Sequence, residues 1–144
     1  MTADALRHAA LADANAPAIS RSRIWTGRVL SGLSALFLIA DGAMKLRPPV
    51  QVTQAFQMLG MPIELAPVIG TILLVCVAVY LVPRTAVLGA LLLTAYLGGA
   101  VAVQLRAGTP LFETLFPTFI AIAAWLGLYL REPRLRALLP VRSE

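Results

Sequence analysis

The sequence predicts an all-α fold, a four-helix transmembrane bundle with an interfacial helix between spans one and two. Three observations carry that expectation. The 144 residues are 59% hydrophobic and only 13% charged, with a mean hydropathy of +0.82, an apolar excess that a small water-soluble domain has too little interior to hide. The apolar residues fall into four separate runs, each near the length that crosses about 30 Å of hydrocarbon at roughly 1.5 Å per helical residue. The charges sit in the tails and in the short intervals between runs, where a membrane protein meets water.

The opening stretch "MTADALRHAALADANAPAIS" is Ala-rich, and Pro17 interrupts an early helix. It lacks the basic region and apolar core of a signal peptide, so residues 1–24 are expected to form a flexible cytoplasmic tail. The membrane domain is expected over 25–131, with spans near 27–46, 65–82, 86–105 and 111–130, followed by a basic cytoplasmic tail over 132–144. Pro62 and Pro67 fit the entrance of span two, and Pro83 with Arg84 its exit. Gly108 and Pro110 separate spans three and four, while Pro117 lies close enough to the fourth entrance to bend it without ending it.

Between spans one and two, "RPPVQVTQAFQMLGMPIE" is too polar and too short to cross a bilayer. Val52, Phe56 and Leu59 recur at three- or four-residue spacing, with Gln51, Gln54 and Gln57 in another row, the pattern of an interfacial helix over the outer mouth. On span three, Ala86, Ala90, Thr94, Gly98 and Ala102 recur every fourth residue, a row of small side chains expected to pack another helix closely. Gly27, Ser31 and Ala35 form a shorter row on span one. Tyr96 faces either a cavity or lipid, which periodicity alone leaves open.

With both termini cytoplasmic, Arg7, Arg21, Arg23, Arg28, Arg84, Arg131, Arg134, Arg136 and Arg142 fall inside, and Lys45, Arg47 and Arg106 outside, as the positive-inside rule favours. Trp25, Tyr80, Trp125 and Tyr129 then lie near the inner interface. The expected location is the cell inner or plasma membrane, with lipids as partners. The net charge of +5 does not point to nucleic acid, because the arginines flank apolar runs rather than lining a polar, aromatic-rich face.

The polar chemistry is sparse. Asp41 and Lys45, in "FLIADGAMKLRPP", share a helical face and can form an ion pair, read first as a structural clasp that fixes the outer mouth and orients span one, and otherwise as a functional site. Asp41 lies inside the outer end of span one, where a charge must be paired, hydrated or neutralised, and Lys45 can reach toward the interface. The topology brings Glu64, Gln104, Arg106 and Glu113 to the same outer side, a candidate polar pocket or ion-pair cluster. Arg106 either pairs with Asp41, Glu64 or Glu113 or meets lipid phosphates, and Glu113 either joins the cluster or stabilises the start of helix four.

Other constellations are missing. His8 stands alone in the tail, so no pair of histidines is available to ligate haem, and no Cys or His cluster specifies a metal. Cys76, the single cysteine, reads as a core side chain. Ser31 and Ser34 have no local His and Asp to activate them. There is no GxGxxG or GxxxxGK loop for a nucleotide, so no catalytic residue is assigned and no complete enzyme is expected.

At "ALFLIADGAMKL", "LGMP", "IGTILLVCVAVYLVPRTAVLGALLLTAYLGGAVAVQLRAG" and "LFPTFIAIAAWLGLYLR" the chain resembles the DoxX-like family of small membrane proteins. The resemblance covers roughly residues 27–131 and runs through Asp41, Gly42, Lys45, Gly60, Pro62, Gly70, Pro83, Arg84, Gly89, Gly98, Arg106, Gly108, Pro117 and Arg131. It implies a four-helix integral membrane bundle in a family named for a membrane subunit associated with thiosulfate oxidation and quinone reduction. It therefore implies an accessory or small-ligand-binding component of a redox or quinone-linked system, with an oxidoreductase subunit as partner and a quinone as cofactor; a homo-oligomer, with a second copy of the chain as partner, is a separate expectation. A small proton- or cation-coupled transporter and a structural membrane interaction protein are the alternatives.

Overall fold

The computed structural model of the chain describes residues 21–132 and Leu135; of the tails expected over 1–24 and 132–144, residues 1–20, with His8, and 133, 134 and 136–144 lie outside the described residues. Five α-helices and one 3-10 turn make up the described chain: α1 (Arg21–Leu46), α2 (Val50–Met58), the turn Ile63–Leu65, α3 (Ala66–Leu81), α4 (Ala86–Ala107) and α5 (Leu111–Arg131). Four segments are long and apolar enough to cross a bilayer: Arg21–Leu46, Ile63–Leu81, Ala86–Ala107 and Leu111–Arg131. The protein is a multi-pass, all-α membrane bundle.

The spans pack as a ring in which α1 touches α3 and α5, and α4 touches the same two helices. Short connections force successive spans to run antiparallel, so the start of α1 and the end of α5 lie at one end. The turn between α3 and α4 lies at that end too, and α2 and the turn between α4 and α5 at the other. α1 begins at Arg21, which draws residues 21–24 out of the expected tail and into a helix. Leu135, in the expected basic tail, is buried in the core.

Packing at the terminal end is set by small residues. A methyl group at Gly27 would lie 2.9 Å from the Gly127 carbonyl, and one at Gly127 would lie 2.5 Å from the Ser31 hydroxyl, so α1 and α5 touch backbone to backbone. Gly27, Ser31 and Ala35 are all buried in this contact face.

Tyr80, near the end of its span at the terminal end of the bundle, faces inward and is wholly buried. Its hydroxyl donates to the Ala124 carbonyl at 2.8 Å and lies 2.9 Å from the Ser31 hydroxyl; with a single proton to give, the phenol receives the Ser31 proton in return. The Arg131 guanidinium sits over its ring, 5.3 Å from the centroid, and Gly89 packs so tightly on it that an added methyl would lie 2.2 Å from the Tyr80 backbone. One side chain thus joins all four spans.

The small-residue row on α4 keeps its expected role over part of its length. Ala86 and Ala90 are buried, and Thr94, though exposed, accepts from Trp125 Nε1 of α5 at 2.8 Å and donates to the Ala90 carbonyl at 2.8 Å; Gly98 and Ala102 are exposed, and Gly98 has nothing within 4 Å of the position a methyl would take. The reason is geometric: each step of four residues overshoots a turn by about 40°, so five such positions sweep through about 160°. The buried face is Ala86, Gly89, Ala90, Leu93 and Leu97, which follows the true helical period.

Candidate functional site

The roofed end of the bundle is hollow. Beyond Leu97, α4 buries no residue, and its small residues Gly99 and Ala100 leave a cavity of about 410 Å³. Phe37 and Leu38 of α1, Ile69 of α3, Tyr96 and Val103 of α4 and Phe116, Pro117 and Ile120 of α5 supply most of its wall. Phe56, Leu59 and Met61 close it from above, with Phe56 the one buried residue of α2.

The roof is shaped by two glycines with left-handed backbone, Gly60 at φ 64° and Gly108 at φ 69°. At each the chain closes a helix with the same paired hydrogen bonds. Gly60 and Met61 donate to the Gln57 and Phe56 carbonyls, and Gly108 and Thr109 to the Leu105 and Gln104 carbonyls. The first stop turns α2 down into α3, and the second turns α4 into α5. A side chain with a Cβ would be strained at either position.

Few residues with polar groups line the cavity: Asp41, Lys45, Gln104 and Tyr96. Lys45 donates to Asp41 Oδ2, the one ion pair among the described residues. The pair turns inward; the Lys45 side chain is 16% exposed and that of Asp41 36%. The Lys45 ammonium is thus turned back on Asp41, one helical turn away, rather than extended beyond the end of its helix. Gln104 Oε1 accepts from the Thr109 hydroxyl at 3.2 Å, and that hydroxyl lies 3.0 Å from the buried Thr114 hydroxyl.

The other proposed cluster members stand apart. Arg106 pairs with neither Asp41, Glu64 nor Glu113; its Nη2 donates to the Leu59 carbonyl at 3.4 Å, tying the end of α4 to the roof. Glu64, in the 3-10 turn, and Glu113, in the first turn of α5, are exposed and line no part of the cavity. Loop lengths brought these residues to one end of the bundle, but their directions around each helix point them elsewhere. Among the described residues no group of three His, Cys, Asp or Glu side chains converges.

The residues that sequence reasoning did not place in the site are its apolar walls and Tyr96. Phe37 was legible as the residue one turn before Asp41 on the same face. Phe116 and Pro117 carried no such signal, since their face is chosen by how α5 crosses α1.

The model of the DoxX-like family matches residues 29–127. The chain belongs to the DoxX-like family. The match runs from α1 almost to the end of α5 and includes every wall of the cavity. No curated protein matches the chain significantly, and no solved structure does. Several positions through which the DoxX-like resemblance runs have structural work in this bundle. Gly42 and Gly70 face each other, where a methyl on Gly70 would lie 2.7 Å from the Gly42 carbonyl. Gly89 admits Tyr80, and Gly60 and Gly108 provide the two left-handed turns.

Proposed function

We propose that this DoxX-like protein is a small-ligand-binding, accessory component of a redox or quinone-linked membrane system, with the roofed cavity as its binding site. The observation that carries the reading is a neutral Asp41–Lys45 pair set in the wall of an otherwise apolar cavity of about 410 Å³. That size and composition are those of small-molecule sites, which are mostly apolar with a few orienting polar groups.

The residues suit a quinone head. The Lys45 ammonium, the Tyr96 hydroxyl and the Gln104 amide are donors for a ring carbonyl oxygen, and Asp41 can hold a proton beside it. A bound quinone would supply two-electron, two-proton redox chemistry. The chain's own share is to bind and orient the ring, exclude water and exchange a proton at the Asp41 carboxylate, with electrons coming from a partner subunit.

The test is purification in native lipid without stripping neighbours, followed by identification of co-purifying quinones and proteins. A quinone retained by the native chain and lost from Asp41→Asn and Lys45→Met supports the reading. Equal retention in both variants, or no retained small molecule from the native chain, overturns it. Proton- or cation-dependent flux in liposomes holding the pure protein, abolished in a folded Asp41→Asn variant, would instead make it a transporter.

A further inference from the structure

We infer that the cavity is entered sideways from the hydrocarbon, between α1 and α5, and that Phe37 and Phe116 form the entrance for an uncharged amphiphile whose tail stays in the bilayer. The inference rests on reading the cavity as a ligand site and adds its route and the class of its occupant.

The contact between α1 and α5 changes in kind along their length. At the terminal end their backbones touch at Gly27 and Gly127, where no methyl fits. At the cavity, the Phe37 and Phe116 rings stand between the helices, edge to face with centroids 5.5 Å apart. The two helices are in backbone contact at one end and meet through two aromatic side chains at the other. Both rings line the cavity, yet Phe37 is 44% and Phe116 36% exposed, so neither is sealed inside the bundle, and exposed apolar surface on a membrane bundle meets lipid.

The next residue, Pro117, has no N–H for the Glu113 carbonyl, so the first turns of α5 lack one rung at the level of the entrance. The roof is closed by comparison: Phe56 is 5% exposed, and Arg106 ties the Leu59 carbonyl to the end of α4. Moving two aromatic side chains in fluid hydrocarbon is easier than lifting that roof into water.

Phe37 and Asp41 are four residues apart on one face, so a molecule passing Phe37 meets the carboxylate about 6 Å further along the helix, with the Lys45 ammonium hydrogen-bonded to it. The pair is neutral and offers both an acceptor and a donor. It therefore favours a head that is uncharged and hydrogen-bonding, such as a hydroxyl, an amide or a ring carbonyl, over a free ion.

The probe is a long-chain alcohol with a diazirine in its chain, photolysed with the full-length protein in phosphatidylcholine nanodiscs, and the labelled positions are read by mass spectrometry. The expected result is labelling of Tyr96 and Ile120 inside the cavity as well as of lipid-facing Leu33 and Phe119. Phe37→Trp with Phe116→Trp should slow Tyr96 labelling at least tenfold and leave Leu33 unchanged. Phe37→Ala, or Phe37→Leu where the alanine variant does not accumulate, should speed it several-fold. Arg106→Gln should leave it unchanged. Tyr96 labelling that ignores the Phe37 and Phe116 variants but rises in Arg106→Gln overturns the lateral entrance while leaving the ligand site standing. Labelling of Leu33 without any labelling of Tyr96 or Ile120 overturns both.

Discussion

Tyr80 holds the bundle through one hydroxyl and one ring. Replacing it with phenylalanine keeps the ring in place but strips the Ser31 hydroxyl of its partner in a buried site. The expected loss is about 1–2 kcal/mol, measured as a lower unfolding temperature in detergent, with cavity occupancy unchanged because the site lies at the other end. Asp41 and Lys45 behave differently, since removing either leaves the other charged in an apolar wall. Asp41→Asn and Lys45→Met should each destabilise by about 1–2 kcal/mol, discounted from fully buried values because the carboxylate is partly exposed. The double variant should lose less than the sum of the two, which a double-mutant cycle of unfolding measurements checks. Additive losses would show that the pair does not act as a clasp.

At the scale of helices, the two glycines of α4 provide a contrast. Gly89→Ala places a methyl against the Tyr80 backbone, which cannot yield without moving α3 from α4; a loss of about 3 kcal/mol or more is expected, at the upper end of overpacking effects. Gly98→Ala meets nothing within 4 Å and should change stability by no more than about 0.5 kcal/mol, or raise it through better helix propensity. Unfolding of the two variants side by side tests the assignment of the packing face. Much of the element structure was legible in the sequence. Proline and glycine punctuation marked the α3 and α4 boundaries, and the spacing of Val52, Phe56 and Leu59 marked a helix in loop one, which is α2. The packing face of α4 was less legible, because small residues at every fourth position form a line in the sequence and a spiral on the helix. The start of α1 was hidden by its polar first turn, since Arg21, Ser22 and Arg23 read as tail although they continue the helix.

For the whole molecule, the antiparallel ring puts Arg84 and Glu132 at one end and Arg47 and Thr109 at the other. Single cysteines at these four sites, in a Cys76→Ala background, should react with an impermeant thiol reagent as two pairs from opposite sides of the membrane. By the positive-inside rule the pair of Arg84 and Glu132 should be the cytoplasmic one. The sequence alone determined the fold class, the number of spans and which residues gather at each end, because these follow from hydrophobic length and from where the chain must turn. Only the tertiary structure decided which of those residues meet. It turned Lys45 inward to Asp41, sent Arg106 to the roof and left Glu64 and Glu113 outside. It also assembled the cavity from Phe37, Tyr96 and Phe116 on three different helices. The physical reason is that a helix's length is a local property of its residues, whereas the direction of a side chain around the bundle depends on how neighbouring helices cross. Here that crossing is set by contacts such as Gly27 on Gly127 and Tyr80 on Gly89, which join residues far apart in the chain.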